Sequence, residues 1–330
     1  MGKFGKFPTV PREYLLARHT AIVATLNSFP TAWPALSMAH IFSLDLLQLD
    51  RADRFQARHR VPFLQLRLNQ DQVCYDFLKW YITVAPTYDV SDTTLPFLDL
   101  ANADPSESMD YLNSVSLKKV DVGMLVAMTL LKLRMVLDLK DAAEYSAQWR
   151  ARHPTDTGEE MPESGEQEKS NEAKDFDKPT SGEQIPTPKK DPAKAMDDTQ
   201  NPNDPENLAS ALEDLSIARE SDLASPEPED PPPRMRSTIL ARSPGLVSPD
   251  VLVTVESHSQ TLYDLVRTRN KHVWKCILNP DVHLRAEISG MDPVPVKGSL
   301  KEAQVVVQVG EAAWRETPGA LEWLRTMVKG

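Results

Sequence analysis

A chain of 330 residues with 41% hydrophobic side chains is long enough for one or two packed domains. Its net charge of −11 is unevenly placed: positions 154–240 hold 22 acidic and nine basic residues, whereas the remainder holds 26 acidic against 28 basic. The remainder therefore offers no basic face for nucleic-acid phosphates, and two cysteines, Cys74 and Cys276, build neither a disulfide framework nor a zinc finger.

The opening MGKFGKF lacks the apolar core of a signal peptide, and Lys6 stands where a myristoylation pattern needs Ser or Thr. A helix is expected from Pro11 to about Asn27, ended by Phe29-Pro30. The next, from about Pro34 to Leu49, carries Leu36, Ile41, Phe42, Leu44 and Leu47 and is apolar on more than one face, which predicts burial between neighbours. A third is expected over 52–68, kinked or restarted at Pro62 because proline lacks an amide proton. After a turn at 69–71, Cys74, Phe77, Leu78 and Tyr81 follow helical spacing, so 61–81 reads as an αα-hairpin whose apolar faces meet.

The stretch VSDTTLPFLDLANADPSESMDYL reads as a long ordered loop with short helical turns. The most apolar run, 124–139, is interrupted by Lys132 and Arg134 and predicts a buried helix rather than a membrane span. Val61, Leu64, Leu66, Leu68 and Trp80 align, 69 positions on, with Leu130, Leu133, Met135, Leu137 and Trp149, about twice the 34-residue tetratricopeptide period. That alignment predicts an internal repeat.

Between His153 and Leu240 the only aromatic residue is Phe176, and composition turns to Pro, Glu, Asp, Ser, Lys and Thr. So little apolar surface cannot offset roughly 1–2 kcal/mol per residue of chain entropy, which predicts disorder. Beyond it, VLVTVE at 251–256 fits either a short strand or a helix start, and a helix is expected to run from Ser257 to Asn279-Pro280. Ser299 with Glu302 forms a capping box for the next helix, and Thr317 is expected to cap a last one starting at Pro318.

The stretches RVPFLQLRLNQDQVCYDFLKWY, DTTLPFLDL, RNKHVWKCILNP and WRETPGALEWLR resemble a group of fungal helical proteins of tetratricopeptide-like character, some of which carry a MYND-type zinc finger. The resemblance implies a helical interaction body. The finger's closely spaced Cys and His ligands have no counterpart here, so no zinc-binding residue is carried over.

No catalytic, cofactor-binding or metal-binding residue is assigned, and no cofactor is expected. His272 and Cys276, four apart, with His258 and His283 make at most a bare metal pattern, while Ser257, His258 and Ser259 lack the setting of a nucleophile elbow. The sharpest local signal is DPENLASALEDLSIARESDL at 204–223, in which Leu208, Leu212, Leu215 and Ile217 form an amphipathic stripe with the spacing of a leucine-rich export signal. Thr187, Ser225, Ser243 and Ser248 each precede Pro, as proline-directed phosphorylation requires. Trp80, Tyr81, Trp149, Trp274, Trp314 and Trp323 fall at core spacing, with Trp80 and Tyr81 the candidate partner anchors wherever they reach the surface.

These readings predict an all-α chain of tetratricopeptide-like helical hairpins with a long disordered acidic insertion. Residues 1–152 form a repeat-like domain, 153–245 a linker, and 246–330 a helical part packed on the first domain. The expected role is an intracellular, non-catalytic adaptor or scaffold for a protein partner, with neither nucleic acid nor membrane, cytoplasmic and shuttling with the nucleus. The alternatives are an obligate subunit of a larger assembly and an enzyme of unrecognised chemistry.

Overall fold

The computed structural model describes residues 10–114, 120–152, 235–283 and 295–329, and every regular element among them is helical. Helix α1 (Arg12–Ser28) and α2 (Trp33–Leu49) pair through a tight turn at 29–32. Turns and a 3-10 segment, Ala57–His59, lead into α3 (Val61–Arg67). The helix expected over 52–68 therefore starts only at its proline, because Asp53 and Gln56 take left-handed backbone angles that no helix continues. Helix α4 (Asp71–Thr83) follows a turn at Asn69, also left-handed, and packs against α3 as the hairpin pattern predicts.

The loop that follows is ordered by its own side chains. Asp89, Asp92 and Asp104 each accept from the amide two residues on, and Asp76 accepts from the amides of Asn102 and Ala103 at 2.9 and 2.8 Å. It ends in α5 (Asp110–Ser114).

Helix α6 (Val122–Arg152) is the axis of the molecule. From Val122 to Leu139 nearly every side chain is buried, as an all-round apolar helix must be. The repeat expected from the 69-residue shift is not a structural repeat: one copy is the broken hairpin α3–α4, the other lies wholly within this uninterrupted helix. Asn69 permits a left-handed turn, whereas its counterpart, Asp138, is fixed in mid-helix by partners described below.

The chain is next described from Met235. Helix α7 (Thr238–Arg242) and a 3-10 turn, Pro244–Leu246, lie on α4 and α6, with Ile239 and Leu240 buried. Residues 235–245 thus belong to the packed body, and the expected linker ends about ten residues early. Helix α8 (Pro249–Arg269) lies along α6 and absorbs VLVTVE into its first turns. It stops at Asn270, whose side chain accepts from the His272 amide at 3.0 Å, so the expected continuous helix breaks there into α8 and α9 (Val273–Leu278), with α10 (Pro280–His283) after it.

Helix α11 (Leu300–Glu316) opens on the capping box: Ser299 Oγ accepts from the Glu302 amide at 3.1 Å, and Glu302 reaches back to the Gly298 amide at 2.7 Å. Its Gly310 presses against Phe63, whose ring carbons lie 2.6 Å from where a Cβ would stand. Thr317 does not cap the last helix. Its hydroxyl donates to the Ala313 carbonyl at 2.9 Å, closing α11, and α12 (Ala320–Lys329) starts after Gly319 turns the chain at φ 84°.

Helix α3 is the seam of this body: Phe63 and Leu66 face the large core around α6, while Val61, Leu64 and Leu68 face a smaller one with α1 and α2. The C-terminal helices pack on the N-terminal ones, chiefly α8 on α6 and α11 on α3.

Candidate functional site

The feature of this body that most needs a function is the outer face of α2. Its buried side is formed by Ala35, Leu36, Ala39, Leu46 and Leu47. The opposite arc carries Met38, Ile41 and Leu49, with Trp33 and Phe29 at the hairpin turn and Tyr14 alongside on α1, all 42–64% exposed. Side chains of this type leave water readily, at roughly 25 cal/mol per Å². The neighbour predicted for α2's second face is not supplied by the described residues.

The hairpin is held firmly. Arg67 bonds the Pro30 carbonyl at its turn and Glu316 on α11 at 2.6 and 2.7 Å. At mid-length Arg18 pairs with Asp45 and lies over the Phe42 ring at 4.8 Å, so the one carboxylate on the face is neutralised from α1. Arg51, just beyond α2, ties the loop at 88–95 through the Tyr88 hydroxyl and the Asp92 and Leu95 carbonyls.

Beneath the hairpin sits a polar centre that sequence reasoning missed. Asp53 accepts from the Ala57 amide at 2.6 Å and pairs with Arg58 at 3.4 Å, and burial pushes its carboxyl up to about 6 against the pull of Arg58 and His59. His59 pairs with Asp121 at 3.0 Å. Burial, the largest single influence, favours the neutral ring, but the Asp121 charge and hydrogen bond, with the Asp53 charge, together hold the His59 pKa above its ordinary value. On Asp121 burial is likewise overcome, by His59 and the Gly123 amide, and its carboxyl falls to about 2. Although an Asp–His pair beside a carboxyl near neutrality resembles acid–base machinery, each partner here fastens the 53–61 turn to the start of α6. The signal available was the run DRFQARHR, too charged for a simple helix, but its partner Asp121 is 62 residues beyond His59.

A second buried network clamps the returning chain. Arg134 pairs with Asp71 at 3.3 Å and donates to the Leu66 carbonyl at 2.6 Å, to Asn69 at 2.7 Å and to the Arg236 carbonyl. Asp138 accepts from the Ser237 amide at 2.6 Å and pairs with Arg236 at 3.0 Å, while Asp71 accepts from the Thr238 amide at 2.7 Å. Two residues before Arg134, Lys132 is fully buried, bonded to the Pro105 carbonyl and 5.0 Å from the Tyr75 ring centre; burial lowers its pKa to about 8. Above the 102–105 loop is a shallow cleft of about 430 Å³, lined by Gln72, Asn102, Asp104, Ile239 and Leu246.

The predicted site residues separate sharply. Trp80 is only 1% exposed: its indole donates to Asp99 at 3.1 Å and its ring meets Tyr81, Tyr88 and Phe97, so it is a core residue and not a partner anchor. Tyr81 is half-buried beside it. Ser243 is exposed at the rim of the cleft, whereas Ser248 is half-buried and caps α8 by accepting from the Val251 amide at 3.3 Å. Leu208, Leu212, Leu215, Ile217, Thr187 and Ser225, with the disorder expected of 153–234, lie outside the described residues. Cys276 is buried in the core and His272 starts α9. Among the described residues no three His, Cys, Asp or Glu side chains gather as a metal site, and no helix is long and apolar enough to cross a membrane.

Compared with protein-family models, curated proteins and solved structures, the chain matches none. Function therefore has to be read from this geometry.

One pH response follows from the histidine under the hairpin. The His19 ring lies tilted against Phe55, centres 5.6 Å apart, and burial with help from Arg60 lowers its pKa from 6.5 to about 4. Between those values the unfolded chain binds the extra proton, so stability falls as pH drops through that window. Asp53 acts oppositely, since its raised pKa makes the folded state bind more protons between about 6 and 3.8. Replacing His19 by Leu is expected to remove up to about 1.4 kcal/mol per pH unit of acid sensitivity. Urea midpoints of both chains from neutral pH to pH 4 check this.

Proposed function

We propose that this chain is a non-catalytic adaptor: a helical body that docks a protein on the open face of α2, with the 204–223 segment as a second, weaker contact. The observation that carries the reading is the set of exposed apolar side chains, Trp33, Met38, Ile41 and Leu49 with Phe29 and Tyr14, on one firmly held hairpin. Its extent is on the scale of the largest patches that stable monomers expose, which are often functional. Successive antiparallel pairs, α1–α2 and α3–α4, support a tetratricopeptide-like character. The proposed setting is the cytoplasm, with Leu208, Leu212, Leu215 and Ile217 serving either partner binding or nuclear export. Phosphorylation at Ser243 would add charge at an exposed rim without disturbing the core, whereas at Ser248 it would act on the start of α8.

The test is stable-isotope affinity capture of the tagged full chain from its own cells, beside Ile41→Glu and a Leu212→Ala, Leu215→Ala double variant. A stoichiometric protein lost on Ile41→Glu supports docking on α2, and one lost on the double variant supports the second contact. Identical recovery from all three chains contradicts the proposal.

A further inference from the structure

We infer that the open face of α2 is covered by a second copy of this chain, two α1–α2 hairpins meeting about a two-fold axis to close an antiparallel four-helix bundle. The inference rests on the reading of this face as a docking surface and names its occupant.

Three properties of the face point to self-pairing. The first is its area. Six large side chains, Tyr14, Phe29, Trp33, Met38, Ile41 and Leu49, are each roughly half exposed. With about 150–250 Å² per aromatic side chain and somewhat less per aliphatic one, they hold on the order of 600 Å² of apolar surface. Neighbouring polar atoms bring the face near the roughly 800 Å² per partner of a standard interface.

The second is charge. Asp45, the carboxylate in the centre of the arc, is already paired with Arg18 of its own copy. In an antiparallel arrangement centred on Ile41, the two Asp45 residues stand eight positions apart, or about 12 Å at the helical rise, which exceeds the screening length near physiological salt. The approach of two copies thus brings no unpaired like charges together.

The third is symmetry. A two-fold interface must be complementary to itself. Ile41 lies midway along α2, eight positions from both Trp33 and Leu49, so a two-fold axis at Ile41 sets the Trp33 end of each copy level with the Leu49 end of the other, on the two flanks of the seam. The hairpin is also half of a bundle: α1 packs mainly on α2, and a second hairpin would supply the layer that the described residues do not place on α2's apolar second face. A dimer would present two copies of the 204–223 segment, giving a doubled partner a gain in avidity without new contacts.

Sedimentation equilibrium of the full chain at micromolar concentration tests this. The expected result is twice the mass of one chain, reduced to one chain by Ile41→Glu or Met38→Glu and unchanged by Val253→Glu, a control at a 68% exposed position on α8. Because these positions are exposed, circular dichroism of the variants is expected to match the parent. A parent chain that sediments as a single copy overturns the inference, as does a double mass that survives Ile41→Glu. A single-copy parent that nevertheless loses its captured partner on Ile41→Glu overturns only the occupant, leaving the adaptor reading in place.

Discussion

Replacing Arg134 by Met is expected to lower unfolding free energy by about 3–5 kcal/mol, because it strands a buried carboxylate. Arg134 is 4% exposed and its partner Asp71 is fully buried. Its guanidinium also satisfies the Leu66 and Arg236 carbonyls and the Asn69 side chain, which lose their donor together. The charge itself is not the source of stability. Adding Asp71→Asn to the same chain removes the stranded charge while leaving an oxygen for the Thr238 amide, and is expected to recover part of the loss. Urea unfolding of the three chains gives the comparison, and equal midpoints for the single and double variants would refute it.

Two tryptophans are expected to behave oppositely. Trp80→Ala removes a fully packed indole from the Tyr81, Tyr88 and Phe97 cluster and leaves Asp99 without its donor, for a loss of about 3–5 kcal/mol. Trp33→Ala, at a position mostly in water, is expected to leave stability within about 0.5 kcal/mol while weakening whatever docks on α2. Thermal unfolding separates the two. A large loss at Trp33 in the dissociated chain would mean that its ring is packed within a single copy.

That contrast shows where the sequence is readable. Both tryptophans border apolar helical spacing, and spacing assigns a side chain to a face without saying what covers the face. Hence α2's two-sided apolarity predicts burial between neighbours, whereas among the described residues α1 and α3 cover one side and leave Met38, Ile41 and Leu49 exposed. The α3–α4 hairpin was legible because helical spacing on both sides of Asn69 leaves one way to turn. The capping box at Ser299 was legible because its reciprocal contacts are local.

Non-local polar partners were not. Lys132 and Arg134 were visible as charges inside an apolar run, and a buried charge must find partners; those partners are supplied by residues as distant as Asp71 and Arg236. The same distance hid the docking of 235–245, which composition assigned to the acidic linker. It hid the tie between His59 and Asp121 as well. The false repeat arose because a 69-residue match in apolar positions carries no information about whether the backbone turns between them.

The claim that α2's outer face is a docking surface is tested most directly by a photo-crosslinking amino acid placed at Ile41 in the full chain, expressed in its own cells and irradiated there. The account predicts a discrete higher-mass adduct at this position, its second component identified by peptide mass, and none from the same group placed at Val253. Adducts absent from Ile41, or equally diverse at both positions, would show that the face remains in water, and would contradict the account.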